Sequence, residues 1–359
     1  MRSRLHEWHK GRTPAQSHDP LVSVVTPFFN TDAYLAKCIE SVLDQSYDNF
    51  EYILVNNCST DRSVKIVEEF ARRDDRIKFF HTDRFLTQLQ NYNRALRFIS
   101  PESKYVKIVQ ADDAIMPRCL EEMTALAEAN PTVGVVSAYR VLGSTLVPSG
   151  IPIERAVMSG REACSRSLTG EYSPFGTATT VMVRADLLRQ RERFYQEDRL
   201  FADTDAMFEV LKDVDFGFVH QVLSFSRVDS DSISGRMDTY GPMLLARTIR
   251  LSLFGREYLT SHDWSRYVTE HERVYARFLA EAWLRRREPA LWDLHRRGLD
   301  TIGRRLEDAW GPRDVLAVLL HYALSPGILI SAMRRRMQRL LSSAKLGAAG
   351  VGGQLVPPS

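Results

Sequence analysis

The sequence predicts an α/β fold, a mainly parallel sheet flanked by helices and followed by an α-helical C-terminal region. Three observations predict it. Strand and helix patterns alternate from residue 21 to residue 140. The strands there are continuous apolar runs, the mark of a parallel sheet covered on both faces. Beyond residue 236 the pattern changes to helices.

Taken in order, residues 21–28 are a valine-rich strand. Residues 32–43 put Leu35, Cys38, Ile39, Val42 and Leu43 on one helix face. Residues 52–55 are a short buried strand. Ser59-Thr60-Asp61 then supplies capping residues for a helix with Val64, Val67 and Phe70 or Ala71 on one side. Residues 77–80 read as a third strand, 89–99 as a helix and 105–109 as a fourth strand. Pro117 opens a helix that runs to Ala129, and residues 133–139 are a fifth strand. Residues 141–170 read as a connection without period. Residues 175–188 read as a strand entering a short helix, 203–211 as a helix, 216–219 as a strand and 274–285 as a helix.

Composition narrows the class. Of 359 residues, 44% are hydrophobic and 26% charged, which suits a soluble globular chain with a real core. A net charge of +3 gives no argument for nucleic acid, and no such partner is expected. Cys38, Cys58, Cys119 and Cys164 form no C-x-x-C pair and no zinc spacing, so reduced thiols are expected. Residues 1–20 show no apolar signal region, and a cytoplasmic location is expected. His6-Glu7-Trp8-His9 reads as part of a tail rather than a metal site.

One C-terminal run stands out. From Val315 to Met333 only His321, Ser325, Pro326, Gly327 and Ser331 interrupt apolar residues, and Arg334, Arg335, Arg336 and Arg339 follow. The first reading is two short core helices joined by the Ser325-Pro326-Gly327 turn. The second is peripheral contact of residues 313–345 with the inner face of a membrane. A spanning helix needs about 20 apolar residues, and Pro-Gly breaks this run in its middle.

Ligands of open α/β sheets bind outside the carboxyl ends of the strands. Three strand ends are polar here: Thr26-Pro27-Phe28-Phe29-Asn30, Asn56-Asn57-Cys58-Ser59-Thr60-Asp61 and Gln110-Ala111-Asp112-Asp113. Asn and Asp are common turn formers and caps, so each segment alone reads first as a turn or cap, and it is the three together at one sheet edge that point to a site. Adjacent carboxylates repel unless a cation or other donors relieve them. Hard divalent ions take carboxylate oxygen and bridge to phosphates. No glycine lies between Thr26 and Asn30, which sets aside a nicotinamide-binding turn, and no G-x-x-x-x-G-K-[ST] is present.

These segments, with Ser41-Val42-Leu43-Asp44-Gln45-Ser46-Tyr47 and Asn93-Arg94-Ala95-Leu96 in the same order, resemble family 2 glycosyltransferases over roughly residues 21–235. The resemblance implies a GT-A fold and a nucleotide-diphosphate-sugar donor. It implies donor contacts at Thr26, Pro27, Phe29, Asn56, Asn57, Asn93, Gln110 and Asp112. Pro27, Phe29 and Asn57 would sit by the base, and Asp112 would be the ligand of a Mg or Mn ion. Asp203, in Ala202-Asp203-Thr204-Asp205, matches the catalytic base, with Asp198 and Asp205 as rivals. Ser226-Arg227 resembles the Tyr-Arg that follows the last strand.

The departures are specific. Asn56-Asn57-Cys58 stands where the family usually has Asp-Asp-Gly, Gln110 replaces the first Asp of D-x-D, and Asp229 stands where a His is frequent. The implied organisation is a flexible tail over 1–20 and a GT-A domain over 21–236. Its nucleotide-binding part is 21–140 and its acceptor part 141–236. A helical region over 237–343 and a disordered tail over 344–359 follow. The implied activity is inverting, metal-dependent transfer of a sugar to a glycan or lipid-linked acceptor in cell-surface glycan or polysaccharide synthesis. The alternative is a catalytically weak nucleotide-sugar-binding partner module. Residues 173–180 read either as a wall of the sugar or acceptor pocket or as a turn into a strand.

Overall fold

The structure is a computed structural model that describes residues 19–147, 151–171, 174–227 and 240–324. The tail expected over 1–20, except its last two residues, lies outside the described residues. So do the 344–359 tail, the Ser325-Pro326-Gly327 turn, the arginines from 334 to 339, Ser173 and Asp229. The chain divides into two compact units, Met1–Val268 and Thr269–Ser359.

The first unit is built on one sheet. Strand β1 (Val22–Phe28) is buried along its whole length, as is β2 (Phe50–Asn56), because helices cover both faces. β1 pairs in parallel with β2 and with β4 (Tyr105–Ile108), and β2 pairs in parallel with β3 (Ile77–His81). All four strands therefore bring their carboxyl ends to one edge. The covering helices include α1 (Leu35–Leu43), α2 (Ser63–Ala71) and α3 (Gln88–Ala95). Thr87 starts α3 with a capping box that it shares with Gln90.

The second half of the sheet is mixed. The two-residue β5 (Ala114–Ile115) and α4 (Cys119–Ala129) lead into β6 (Val133–Leu142). The described residues between 141 and 170 are structured. They hold β7 (Thr145–Val147), β8 (Val157–Ser159) and α5 (Gly160–Thr169). Next come β9 (Met182–Arg184), α6 (Ala185–Arg189), α7 (Ala202–Val210) and the long β10 (Asp215–Ser226). The order across the sheet is β3-β2-β1-β4-β9-β6-β10-β5. β9 enters antiparallel between β4 and β6, whereas β10 runs parallel to β6 with register shifts.

Helix α8 (Pro242–Tyr258) packs with this unit, although the sequence groups it with the later helices. Phe208 of α7 stacks on Phe254 with ring centroids 5.1 Å apart, and Tyr258 donates its hydroxyl to the Phe208 carbonyl. Arg247 donates to the Leu168 and Thr169 carbonyls, orphan acceptors at the end of α5.

The unit boundary falls inside α9 (Ser261–Leu284). The second unit continues with α10 (Pro289–Asp300) and α11 (Pro312–Leu324). Leu279, Leu291, Leu299, Leu306 and Val318 are buried there. Tyr275 and the fully buried His295 share a hydrogen bond of 2.7 Å. The expectation that residues 315–324 form a core helix is corrected. They are helical, but Val318 alone among the described residues of α11 is fully buried. No helix among the described residues is long and apolar enough to cross a membrane.

Candidate active site

The site forms where β1, β2 and β4 end. Thr26 is buried in β1, donates to the Val109 carbonyl at 2.8 Å and meets the Tyr52 hydroxyl at 3.1 Å. It thereby locks β1 against the segment that leads to Gln110. Pro27 is buried beside it. Phe29 turns outward at 41% exposure and meets Phe85, itself 61% exposed, edge to face at 4.8 Å. Two open aromatic faces therefore stand at the sheet edge.

The amides at the end of β2 face inward. Asn56 accepts from the Ser59 amide at 2.9 Å and lies 3.2 Å from His81 Nδ1. Asn57 is buried, accepting from Leu86 N at 2.9 Å and donating to Leu86 O at 2.8 Å. Such a two-way grip requires a side chain with both a donor and an acceptor, which Asn has and Asp lacks. Asn57 thus braces the loop that carries Phe85. Asn93 on α3 makes the same grip on Tyr195, at 2.8 and 2.9 Å, and fixes the approach to α7. Cys58 has φ +61°, a left-handed backbone that glycine adopts most easily.

Asp112 and Asp113 diverge. Asp112 is exposed, and Arg227 Nη2 stands 3.8 Å from its Oδ2. The Arg227 guanidinium lies 3.6 Å over the Tyr34 ring. Asp113 is buried and accepts from the Thr179 hydroxyl at 2.5 Å. Burial raises its carboxyl to about 6; Thr179 and Ser226 act against the rise, whereas Asp112 adds to it. Thr179 Oγ1 also accepts from the Gln110 amide at 3.0 Å. Behind it, the buried Lys107 ammonium donates to the Thr179 and Val181 carbonyls. Of the segment 173–180, Thr179 therefore backs the acidic pair.

Asp203 sits half-buried in the first turn of α7 and accepts from the Thr204 amide at 2.8 Å. Burial raises its carboxyl above the ordinary range; the Thr204 amide, Arg250 and Arg140 oppose the rise. The two rivals differ from it. Asp205 holds Arg250 at 3.1 Å and Arg199 at 3.8 Å, which occupies both oxygens, and Asp198 is exposed.

Sequence reasoning missed Arg140. It lies in β6, donates to Ser226 Oγ at 3.1 Å, and is acted on by both Asp113 and Asp203. A half-buried cation thus feels the charge of both acidic segments. A charged residue near the end of an apolar strand was the available signal. Arg250 and Phe85 were missed as well, since their partners are distant in sequence, and Thr179 was singled out only within the segment 173–180, not as the partner of Asp113.

What the described residues offer a divalent ion here is one open carboxylate, Asp112. Such ions keep several waters and need one or two protein carboxylates beside phosphate oxygens. Asp112 is open to solvent, Asp113 is turned away, and no group of three or more His, Cys, Asp or Glu able to hold an ion occurs among the described residues.

Residues 23–190 match the family model described as glycosyl transferase family 2. Glycosyltransferase GlyG of Streptococcus pneumoniae serotype 4 is 33% identical over 119 residues, which are 33% of this chain and 39% of that protein. The match thus spans well under two thirds of that relative. The S. aureus TarS 1-349 structure in complex with UDP-GlcNAc aligns at a TM-score of 0.55 and 17% identity. It covers 85% of this chain and 87% of that one. Mannosyltransferase PcManGT from Pyrobaculum calidifontis, in complex with GDP-Man and Mn2+, aligns at a TM-score of 0.50 and 15% identity, covering 90% and 86%. The fold is the GT-A fold of such glycosyltransferases.

Proposed function

We propose that this chain, whose residues 23–190 carry a family 2 glycosyl transferase domain, moves a sugar from a nucleotide-diphosphate donor to an acceptor hydroxyl with inversion. The observation that carries the reading is an open carboxylate, Asp112, at the carboxyl edge of the sheet, together with a half-buried, raised one, Asp203, which acts with Asp113, the neighbour of Asp112, on the same Arg140. The nucleotide-sugar complexes of TarS and PcManGT support the donor class. The acceptor is a glycan or lipid-linked hydroxyl.

Phe29 and Phe85 offer faces for the nucleobase, Phe85 on a loop that Asn57 holds in place. A Mg or Mn ion held by Asp112 would take up negative charge on the departing diphosphate. Asp203 accepts the proton of the acceptor hydroxyl as its oxygen bonds to the anomeric carbon. The bond from that carbon to the phosphate oxygen breaks, and its electron pair leaves with the nucleoside diphosphate. A raised carboxyl is a stronger base for this step than an ordinary one. The Thr204 amide, Arg250 and Arg140 favour the charged carboxylate of Asp203 against the effect of its burial.

Asp203→Asn is expected to lower transfer by about 10²-fold or more while donor binding persists. The acid limb of the rate profile, set above the ordinary Asp range, disappears with it. Transfer assays and donor titrations on the same samples check this. Wild-type donor binding without any transfer would favour a catalytically weak binding partner, for which Gln110 and Asn57 in place of acids give a motive.

A further inference from the structure

Helix α11 is inverted relative to an ordinary surface helix. Its outward half carries Leu316, Leu320 and Leu324 at four-residue spacing with Leu319 beside them, exposed by 58, 53, 82 and 48%. Ala317 and Ala323 complete that half and are exposed too. Arg313, at the start of the helix, is the one charged residue among the exposed positions of α11. A helix on a protein surface normally turns polar residues outward. The orientation is fixed from inside: Val318 is buried, and one turn on, Tyr322 accepts from Arg285 at 2.9 Å. Asp314 anchors the start by accepting from the Gly311 amide at 2.8 Å. A contiguous apolar face of this kind marks an interaction surface.

The sequence that follows identifies the chemistry of the occupant. Residues 325–359 hold four arginines, one lysine and no acid. A partner for both features must accept branched apolar side chains and present negative charge beside them. We propose that the outward face of α11 docks on an anionic lipid surface, with the leucines at the acyl boundary and the basic segment among the headgroups. The described part of the helix, 13 residues, is too short to cross such a layer, and the proposal has it lie along the surface. The proposal stands independently of the transferase reading, since neither donor nor transfer enters it.

The test is co-sedimentation of the full chain with phosphatidylcholine vesicles, with and without phosphatidylglycerol. Leu316→Glu/Leu320→Glu is the variant, because both positions are exposed and the fold should persist, as an unchanged melting temperature confirms. The expected result is sedimentation with the anionic vesicles, weakened by salt and lowered by about tenfold or more in the variant. Wild-type protein that stays in solution with anionic vesicles overturns the proposal. So does a folded variant that binds as well as wild type. A wild-type dimer that the variant turns into a monomer, without vesicle binding, overturns it in favour of a second copy as occupant.

Discussion

Asp112 and Asp113 are neighbours in sequence and opposites in environment. Asp112 faces solvent, whereas Asp113 is buried on Thr179 with its carboxyl raised to about 6. An unfolded Asp titrates near about 3.9. Between those values the native chain keeps a proton that the unfolded chain has released. Stability therefore falls as pH rises from about 4 to about 6, and the deficit persists above. Asp113→Asn keeps an acceptor for the Thr179 hydroxyl and removes the buried charge. It should stabilise the protein at about pH 8, by an amount on the order of 1–3 kcal/mol, with the gain gone at about pH 4. Melting curves of both proteins at the two pH values check it. The adjacent carboxylates were legible in the sequence as a charge problem. Which of the two turns inward was not, because Thr179 lies 66 residues away. Asn57 shows the same limit. The sequence marks it as a strand-end amide, while its grip on the Leu86 main chain depends on where a distant loop returns.

At the scale of elements, the segment entering β9 holds the acidic pair from behind. Gly176 there has φ +63°, and a Cβ on it would meet Thr180 Oγ1 at 2.5 Å. Gly176→Ala is expected to cost about 1–3 kcal/mol and to lower transfer, since the same turn presents Thr179 to Asp113. Urea unfolding and a transfer assay measure the two effects, and wild-type stability would contradict the role given to this turn. The strands of the first half were legible because each is rich in apolar residues, with only one or two polar positions, and lies between turn or capping residues. Residues 141–170 were not. Their strands β7 and β8 have three residues each, too few for a period, and α5 buries only Gly160, Ala163, Cys164 and Leu168. A signal was present nonetheless. Ser159 with Glu162 three residues later, and Gly170 in a left-handed conformation, mark both ends of α5.

The first unit gathers the carboxyl ends of its parallel strands at one sheet edge, where the proposed function puts the donor, and the second carries a helix with an apolar outward face. The alternation of strands and helices already predicts the parallel half of the sheet. The mixed half depends on β9 entering antiparallel between β4 and β6, a choice of pairing partner that no local pattern encodes. The division at Val268, well past residue 236, has a similar origin: α8 buries Phe254 and Tyr258 against α7, a contact between helices far apart in sequence. What the account asks of the whole protein is that it recognise a nucleotide sugar at that donor edge. The direct measurement is thermal shift with a panel of nucleoside diphosphates and nucleotide sugars, with and without Mn or Mg, on wild type and Asp112→Ala. A ligand bound only by the native state stabilises it by about 3 kcal/mol at a hundredfold excess over Kd. The account predicts a base-selective, metal-dependent rise in melting temperature that Asp112→Ala loses. No rise with any nucleotide in a folded wild-type sample would contradict it.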